Sequence, residues 1–306
     1  WKRENRNRNK IGKKERGSGG SIGYRVKELV CLGRENLSAH ESRQCFGAES
    51  KYICLPMHSI ALLPEKLEEL GWSAGEATVF YNFAWSGRRG LADGEFSDQL
   101  NNAVWAAEAV KVAKILACTK FINSGSMEET FIEDYSKVRN TQVYKSAQTN
   151  YGLTKLAARD MCKTVAYIEA IDYVHTRMSV PLASDLSKGT YISATMKKIL
   201  KGEVYELPRS ESLYDVVLLE DVAIAYHLIG LTGHNKANYF IGTGKPATLR
   251  HHFERFVRLV RGQSVVEIDM VENDHGHLFD VKTLRQDTGF VSTHGLEHII
   301  SKAVSL

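Results

Sequence analysis

The chain has 306 residues, 43% of them hydrophobic, enough apolar material for one large domain with a small lobe or for two domains. No apolar run reaches membrane-spanning length and no secretory-type apolar core opens the chain, which argues against a membrane partner and for a soluble protein. Residues 1–16 hold eight Lys/Arg against two Glu, so the net charge of +4 resides in a basic tail over a slightly acidic body, and with no interleaved aromatic residues beyond Trp1 that tail argues against nucleic-acid binding.

Cys31, Cys45, Cys54, Cys118 and Cys162 are scattered with no Cys-x-x-Cys pair, which points to a reducing cytoplasm. Residues 1–9 read as a solvated arm. Gly17, Gly20 and Gly23 form Gly-x-x-Gly-x-x-Gly, which suits either close approach to a pyrophosphate or a flexible Ser/Gly loop. Ile22, Val26, Leu29 and Val30 predict a following helix capped by Gly33, then a strand over 35–40. Glu41 ends that strand, 18 residues past Gly23, where an acid accepts ribose hydroxyls. The segment before the glycines carries four consecutive charges, Lys13–Arg16, which are costly in a buried first strand.

Further along, strands are expected at 51–55, 77–84, 120–126 and 171–178, and helices at 63–70, 97–117 and from 150 onward. Residues 127–149 read as a polar loop. The alternation predicts an α/β fold, a doubly wound parallel sheet covered by helices on both faces. Asn82, Ser124, Ser126 and Val180–Pro181 fall at strand ends, where such sheets bind ligands. Shorter elements follow at 191–200, 214–219, 221–231, 238–241, 249–260 and 296–304.

The helix opened by Asn150 carries Leu153, Ala157, Met161, Val165 and Ile168 at helical spacing, the face expected to pack inward. Tyr151 and Lys155 are one turn apart on it. A phenol titrates near ~10, and a neighbouring ammonium lowers that value, so the pair can move a proton to or from an alcohol or ketone.

With Ser126 standing 25 residues before Tyr151, the chain resembles the extended short-chain dehydrogenase/reductases of the NAD-dependent epimerase/dehydratase type, over residues 17 to about 300. That resemblance implies a Rossmann-type domain over 10–180, with 214–243 returning to it. It also implies a smaller substrate lobe over 181–213 and 244–306. It implies Tyr151 as acid/base, Lys155 as its partner on the nicotinamide ribose, and Ser126 on the reacting oxygen. Gly17, Gly20, Ser21, Ile22, Gly23, Glu41, Asn82, Phe83, Ala84, Asn102, Ser124, Val180 and Pro181 would line the cofactor. Trp85 and Tyr214, with Ser126 and Tyr151, would meet the substrate. The implied cofactor is NAD, with NADP left open by Arg43. The implied partners are a nucleotide sugar and a second copy of the chain. Lys13–Arg16 and Leu55–Pro56 depart from the family pattern at the adenosine end. The implied activity is epimerase or 4-ketoreductase, with dehydratase as an alternative through Glu128–Glu129, or a non-catalytic scaffold if cofactor binding is lost.

Overall fold

The structure, a computed structural model, describes residues 26–38, 40–42, 50–87, 95–137, 149–187, 189–263 and 276–304. The basic tail, Lys13–Arg16, the glycine run with Ser21 and Ile22, and Arg43 lie outside the described residues. Residues 1–54 and 55–306 form two compact units.

In the first unit β1 (Leu29–Gly33) pairs in parallel with β2 (Ser50–Cys54). The helix expected to end at Gly33 is therefore a strand at its second half. Leu29-Val30-Cys31-Leu32 is a short apolar run, which periodicity alone cannot assign to helix or strand, and its pairing with Lys51–Cys54 decides. Gly33 is not among the residues in the left-handed region, so it makes no helix cap. Instead it leaves room for the Tyr52 ring, which a Cβ would strike. Five residues, 24–28, separate Gly23 from β1, too few for the crossover helix that a glycine turn requires. The strand expected over 35–40 is also absent from its described residues. Ser38 and Glu41 form a capping box: Glu41 Oε2 accepts from the Ser38 backbone N–H at 2.8 Å, and the Glu41 N–H donates to Ser38 Oγ at 3.3 Å. Glu41 thus sits in a helical first turn and not at a strand end.

In the second unit a four-stranded parallel sheet runs in the order β3 (Val79–Asn82), β4 (Lys120–Ser124), β5 (Asp172–Arg177), β9 (Asn238–Phe240). A short helix, α1 (Leu63–Glu69), precedes it. The sheet is covered on both faces, as the alternation predicted. Ile122 and Val174 point to one side, into a core with Ala225 and Ile229 of α6 (Leu219–Thr232) and Leu284 of α8 (Lys282–Thr288). On the other side lie α2 (Phe96–Ile115) and α4 (Thr149–Ile168), packed along each other. Ala103, Ala106, Ala109 and Ala113 are buried on α2, and such small side chains let the helix approach closely. Lys120 opens β4 and its Nζ donates to the carbonyls of Ile229, Gly230 and Gly233 at 3.2, 3.0 and 2.8 Å, closing the C-terminal end of α6.

The expected loop over 127–149 begins as a helix, α3 (Met127–Lys137). Its acids Glu128 and Glu129 stand in the first turn, where the helix dipole favours them. Beyond the sheet, β6 (Val180–Leu182) pairs in parallel with β8 (Val216–Leu218), and β7 (Leu213–Tyr214) pairs antiparallel with β10 (Ala247–Thr248). The strand expected over 214–219 breaks at Asp215, whose buried carboxylate accepts from Thr243 N–H and Oγ1–H at 3.0 and 2.7 Å and from Gly244 N–H at 2.8 Å. Around β6 and β8, a second core joins Met196 of α5 (Tyr191–Lys201), Phe253 and Phe256 of α7 (Leu249–Val260), and Ile299 of α9 (Glu297–Val304).

Candidate active site

The strands β3, β4 and β5 end side by side, Asn82 facing Asn123 and Ser124 facing Thr176 in register. Beyond β4 the chain turns at Gly125, where a Cβ would collide with Glu129 Oε1 and His175 Nε2. That close approach requires glycine. Ser126 then caps α3: the Glu128 N–H donates to Ser126 Oγ at 3.3 Å, and the Ser126 N–H donates to Glu129 Oε1 at 2.6 Å. The Ser126 side chain is near enough to the Tyr151 phenol to pull its pKa down.

Tyr151 and Lys155 do lie on one face of α4, but it is the buried face, shared with Ala158, Cys162 and Ala166. The stripe expected to pack inward is not buried as a whole: Leu153 is 41% and Ile168 70% exposed, while Ala157, Met161 and Val165 are half-buried. The inward face consists of small residues, which bring α4 close to its neighbours. Gly152 contributes, since a Cβ there would lie 3.0 Å from the Glu128 carbonyl oxygen.

Lys155 Nζ donates to the Ser124 carbonyl at 2.9 Å and stands 3.9 Å from the Trp85 ring centroid and 5.8 Å from that of Tyr151. Burial lowers its pKa to about 8, against the raising influence of Glu129. The expected lowering of the Tyr151 pKa is not found. Burial pushes it up to about 12, Glu129 and Glu128 raise it further, and the Ser126 side chain works the other way. Tyr151 is therefore a protonated phenol at neutral pH, a proton donor in this arrangement.

Trp85 stands edge-on to Tyr151, with ring centroids 5.8 Å apart. Its Nε1–H donates to Gln99 at 2.8 Å. Asn102 is fully buried, with Oδ1 accepting from Ser86 N–H at 2.8 Å and Nδ2 donating to Ser86 O at 2.9 Å. Its amide is spent on the loop carrying Trp85, so it acts by holding that loop. Phe83 and Ala84 follow β3 on the exposed surface, Phe83 edge-on to Tyr226 at 4.7 Å. Tyr226 donates to Ser124 Oγ at 3.0 Å. Val180 and Pro181 are half-buried in β6. Tyr214 packs against the core of α5 and α7, and its carbonyl bonds His252 Nε2 at 2.8 Å.

A buried polar chain was not anticipated from sequence. Asn82 Nδ2 donates to Asn123 Oδ1 at 2.9 Å, Asn123 Nδ2 lies 3.4 Å from His175 Nδ1, and His175 Nε2 lies 2.7 Å from Glu129 Oε2. One signal was available: Ser126-Met127-Glu128-Glu129 is a Ser-x-x-Glu capping pattern. For Asn123 and His175 the signal is a polar residue directly after an apolar pair, Phe121-Ile122 in β4 and Tyr173-Val174 in β5.

Sheet order, strand-end placement and a Ser, Tyr and Lys gathered there define a Rossmann-type α/β protein with a dehydrogenase-like site. The chain belongs to the NAD dependent epimerase/dehydratase family, whose model matches residues 55–242. That match begins where the second compact unit begins. No curated protein sequence matches the chain. Among solved structures it is similar to UDP-glucose 4-epimerase with UDP-glucose from Thermotoga maritima, at TM-score 0.66 and 13% identity, covering 90% of this chain and 92% of that one. It is also similar to Bordetella bronchiseptica WbmG in complex with NAD and UDP, at TM-score 0.63, 14% identity and coverage of 91% and 86%. A third is dTDP-glucose 4,6-dehydratase from Bacillus anthracis in complex with NAD, at TM-score 0.62, 14% identity and coverage of 92% and 96%.

Proposed function

We propose that the protein is a nucleotide-sugar epimerase or 4-ketoreductase using NAD, with Tyr151 as acid/base and Ser126 and Lys155 as its partners. The observation that carries this reading is the buried Lys155, its Nζ 2.9 Å from the Ser124 carbonyl and 5.8 Å from the Tyr151 ring centroid, at the carboxyl ends of a parallel sheet. Lys155, with Ser124, Phe83 and Ala84, suits the nicotinamide end of the cofactor, since a cation and exposed apolar surface converge there. NAD, when bound, supplies the hydride chemistry. The chain's own residues orient the sugar and move the proton: Ser126 holds the reacting oxygen, Tyr151 donates to it, and Lys155 keeps positive charge nearby. Trp85 forms one wall. Residues 181–213 and 244–306 serve as the substrate lobe, and Val180 and Pro181 lie at its entry.

The dehydratase reading is weaker because Glu129 is fully buried and committed to His175 and Ser126. Four described cysteines are free thiols, in keeping with a cytoplasmic setting. Among the described residues no helix is long and apolar enough to cross a membrane. The exposed Leu153 and Ile168 on α4, with half-buried Met161 between them, suit a homodimer through this helix.

A panel of UDP- and dTDP-sugars assayed with catalytic NAD, against stoichiometric NADH, tests the proposal. Turnover without net cofactor use means epimerase or dehydratase, told apart by their products, and NADH consumption means ketoreductase. A second reading, a non-catalytic member of the family, is favoured by the five-residue gap between Gly23 and β1. Calorimetric titration with no binding at millimolar NAD would establish it.

A further inference from the structure

We propose that Glu129 is a positioning residue: its carboxylate, held between His175 and the Ser126 backbone, fixes where Ser126 stands and keeps a negative charge buried beside Tyr151 and Lys155. The inference rests on the reading of Ser126, Tyr151 and Lys155 as the reacting set.

A capping-box Glu ordinarily faces water. This one is 0% exposed, and a buried carboxylate persists only with its oxygens satisfied. Oε1 takes the Ser126 N–H at 2.6 Å and Oε2 takes His175 Nε2 at 2.7 Å. The other ring nitrogen, Nδ1, faces the Asn123 amide Nδ2 at 3.4 Å and the Tyr173 hydroxyl at 3.1 Å. An amide nitrogen can only donate, so the ring proton belongs on Nε2 and points at the carboxylate. Glu129 is thereby a strut from β5 to the turn after β4, and Gly125 has no side chain because the strut fills its space.

The charged and titratable groups around it are Tyr151 and Lys155 on α4, Tyr173, His175 and Arg177 on β5, and its neighbour Glu128 on α3. Among these its carboxylate raises the proton affinity of both Tyr151 and Lys155. A purely mechanical strut would do neither.

Two variants separate reach from charge. Glu129→Gln keeps the shape and removes the charge, while Glu129→Asp keeps the charge and shortens the reach by one methylene. The primary readout is the titration of Lys155 by NMR of 13C-lysine-labelled protein, its resonance identified by its loss in Lys155→Met. In Glu129→Gln, Lys155 should titrate at least about one pH unit lower than in the unaltered protein. In Glu129→Asp the Lys155 titration should stay within about half a unit, while turnover falls at least about tenfold through displaced Ser126. If Glu129→Gln does not fold, His175→Leu should likewise move the Lys155 titration to lower pH, because a buried carboxylate that loses its donor is less readily ionised. An unchanged Lys155 titration in Glu129→Gln, or in His175→Leu where that variant stands in, overturns the inference. The NMR readout needs no substrate. A shifted Lys155 in a protein that turns over no nucleotide sugar would count against the proposed activity and not against the role of Glu129.

Discussion

Lys155 and Trp85 form a buried cation–π pair, with Nζ 3.9 Å from the ring centroid and the ring itself anchored by Gln99. A desolvated pair of this kind contributes about 2 kcal/mol to keeping the lysine charged. It opposes the burial that lowers the Lys155 pKa to about 8. Trp85→Leu should therefore move the Lys155 titration further down and bring the alkaline fall of turnover to lower pH. Trp85→Phe retains an aromatic face and should restore most of the difference. A pH–rate profile of the three proteins checks this, and superimposable alkaline limbs would sink it.

Tyr151→Phe removes the proton donor while leaving the ring edge against Trp85. Loss of general acid/base catalysis costs typically ~10²–10⁴-fold, so turnover should fall by that order. NAD affinity should change little, because the substitution leaves Lys155 and its bond to the Ser124 carbonyl in place. Steady-state assay with calorimetric titration of NAD checks both halves, and wild-type-like turnover would refute the assigned role.

The long elements were legible because their periodicity is strong. β3, β4, β5, α2 and α7 stand within two or three residues of where alternation and helical spacing put them. What failed was local or three-dimensional. Leu29–Gly33 is too short for periodicity to distinguish strand from helix, and a pairing partner settled it. The α4 stripe has correct spacing but is not buried as a whole, since packing distance favoured Ala158 and Cys162 over Leu153 and Met161 inside. Residue type and spacing were enough to propose Ser126, Tyr151 and Lys155 as one set. Glu129 and His175 are 46 residues apart, and no local pattern brings them together.

Asp221, in the first turn of α6, binds the segment Ser292–His294. Its carboxylate accepts from Ser292 Oγ at 2.6 Å, from the N–H groups of Thr293 and His294 at 3.0 Å each, and from His294 Nδ1 at 2.6 Å. These bonds hold its pKa below the ordinary value despite the desolvation that opposes them. A carboxyl with a lowered folded-state pKa stabilises fully above its unfolded value, near ~3.9, and loses that contribution as pH falls toward the folded value. Asp221→Asn should cost about 2–4 kcal/mol at neutral pH, since an amide group would face donors. The deficit should shrink below about pH 4. Urea unfolding at pH 7 and at pH 3.5 checks it, and an equal deficit at both would contradict the assignment.

Leu153 lies opposite the buried face of α4, at 41% exposure, in line with Ala157, Met161 and the 70% exposed Ile168. A stripe of this length is unfavourable in water, and burying it against the same stripe of a second copy removes that cost on both. Leu153→Glu places a charge at the centre of such a two-fold contact, where it would meet its own copy or lose its hydration. The unaltered protein should sediment as a dimer, and the variant should shift to monomer at micromolar concentration. Tyr151, two residues away on the other side of the helix, should keep its place beside Ser126, so the Leu153→Glu monomer should still bind NAD. Equal sedimentation of the two proteins would remove α4 as the contact.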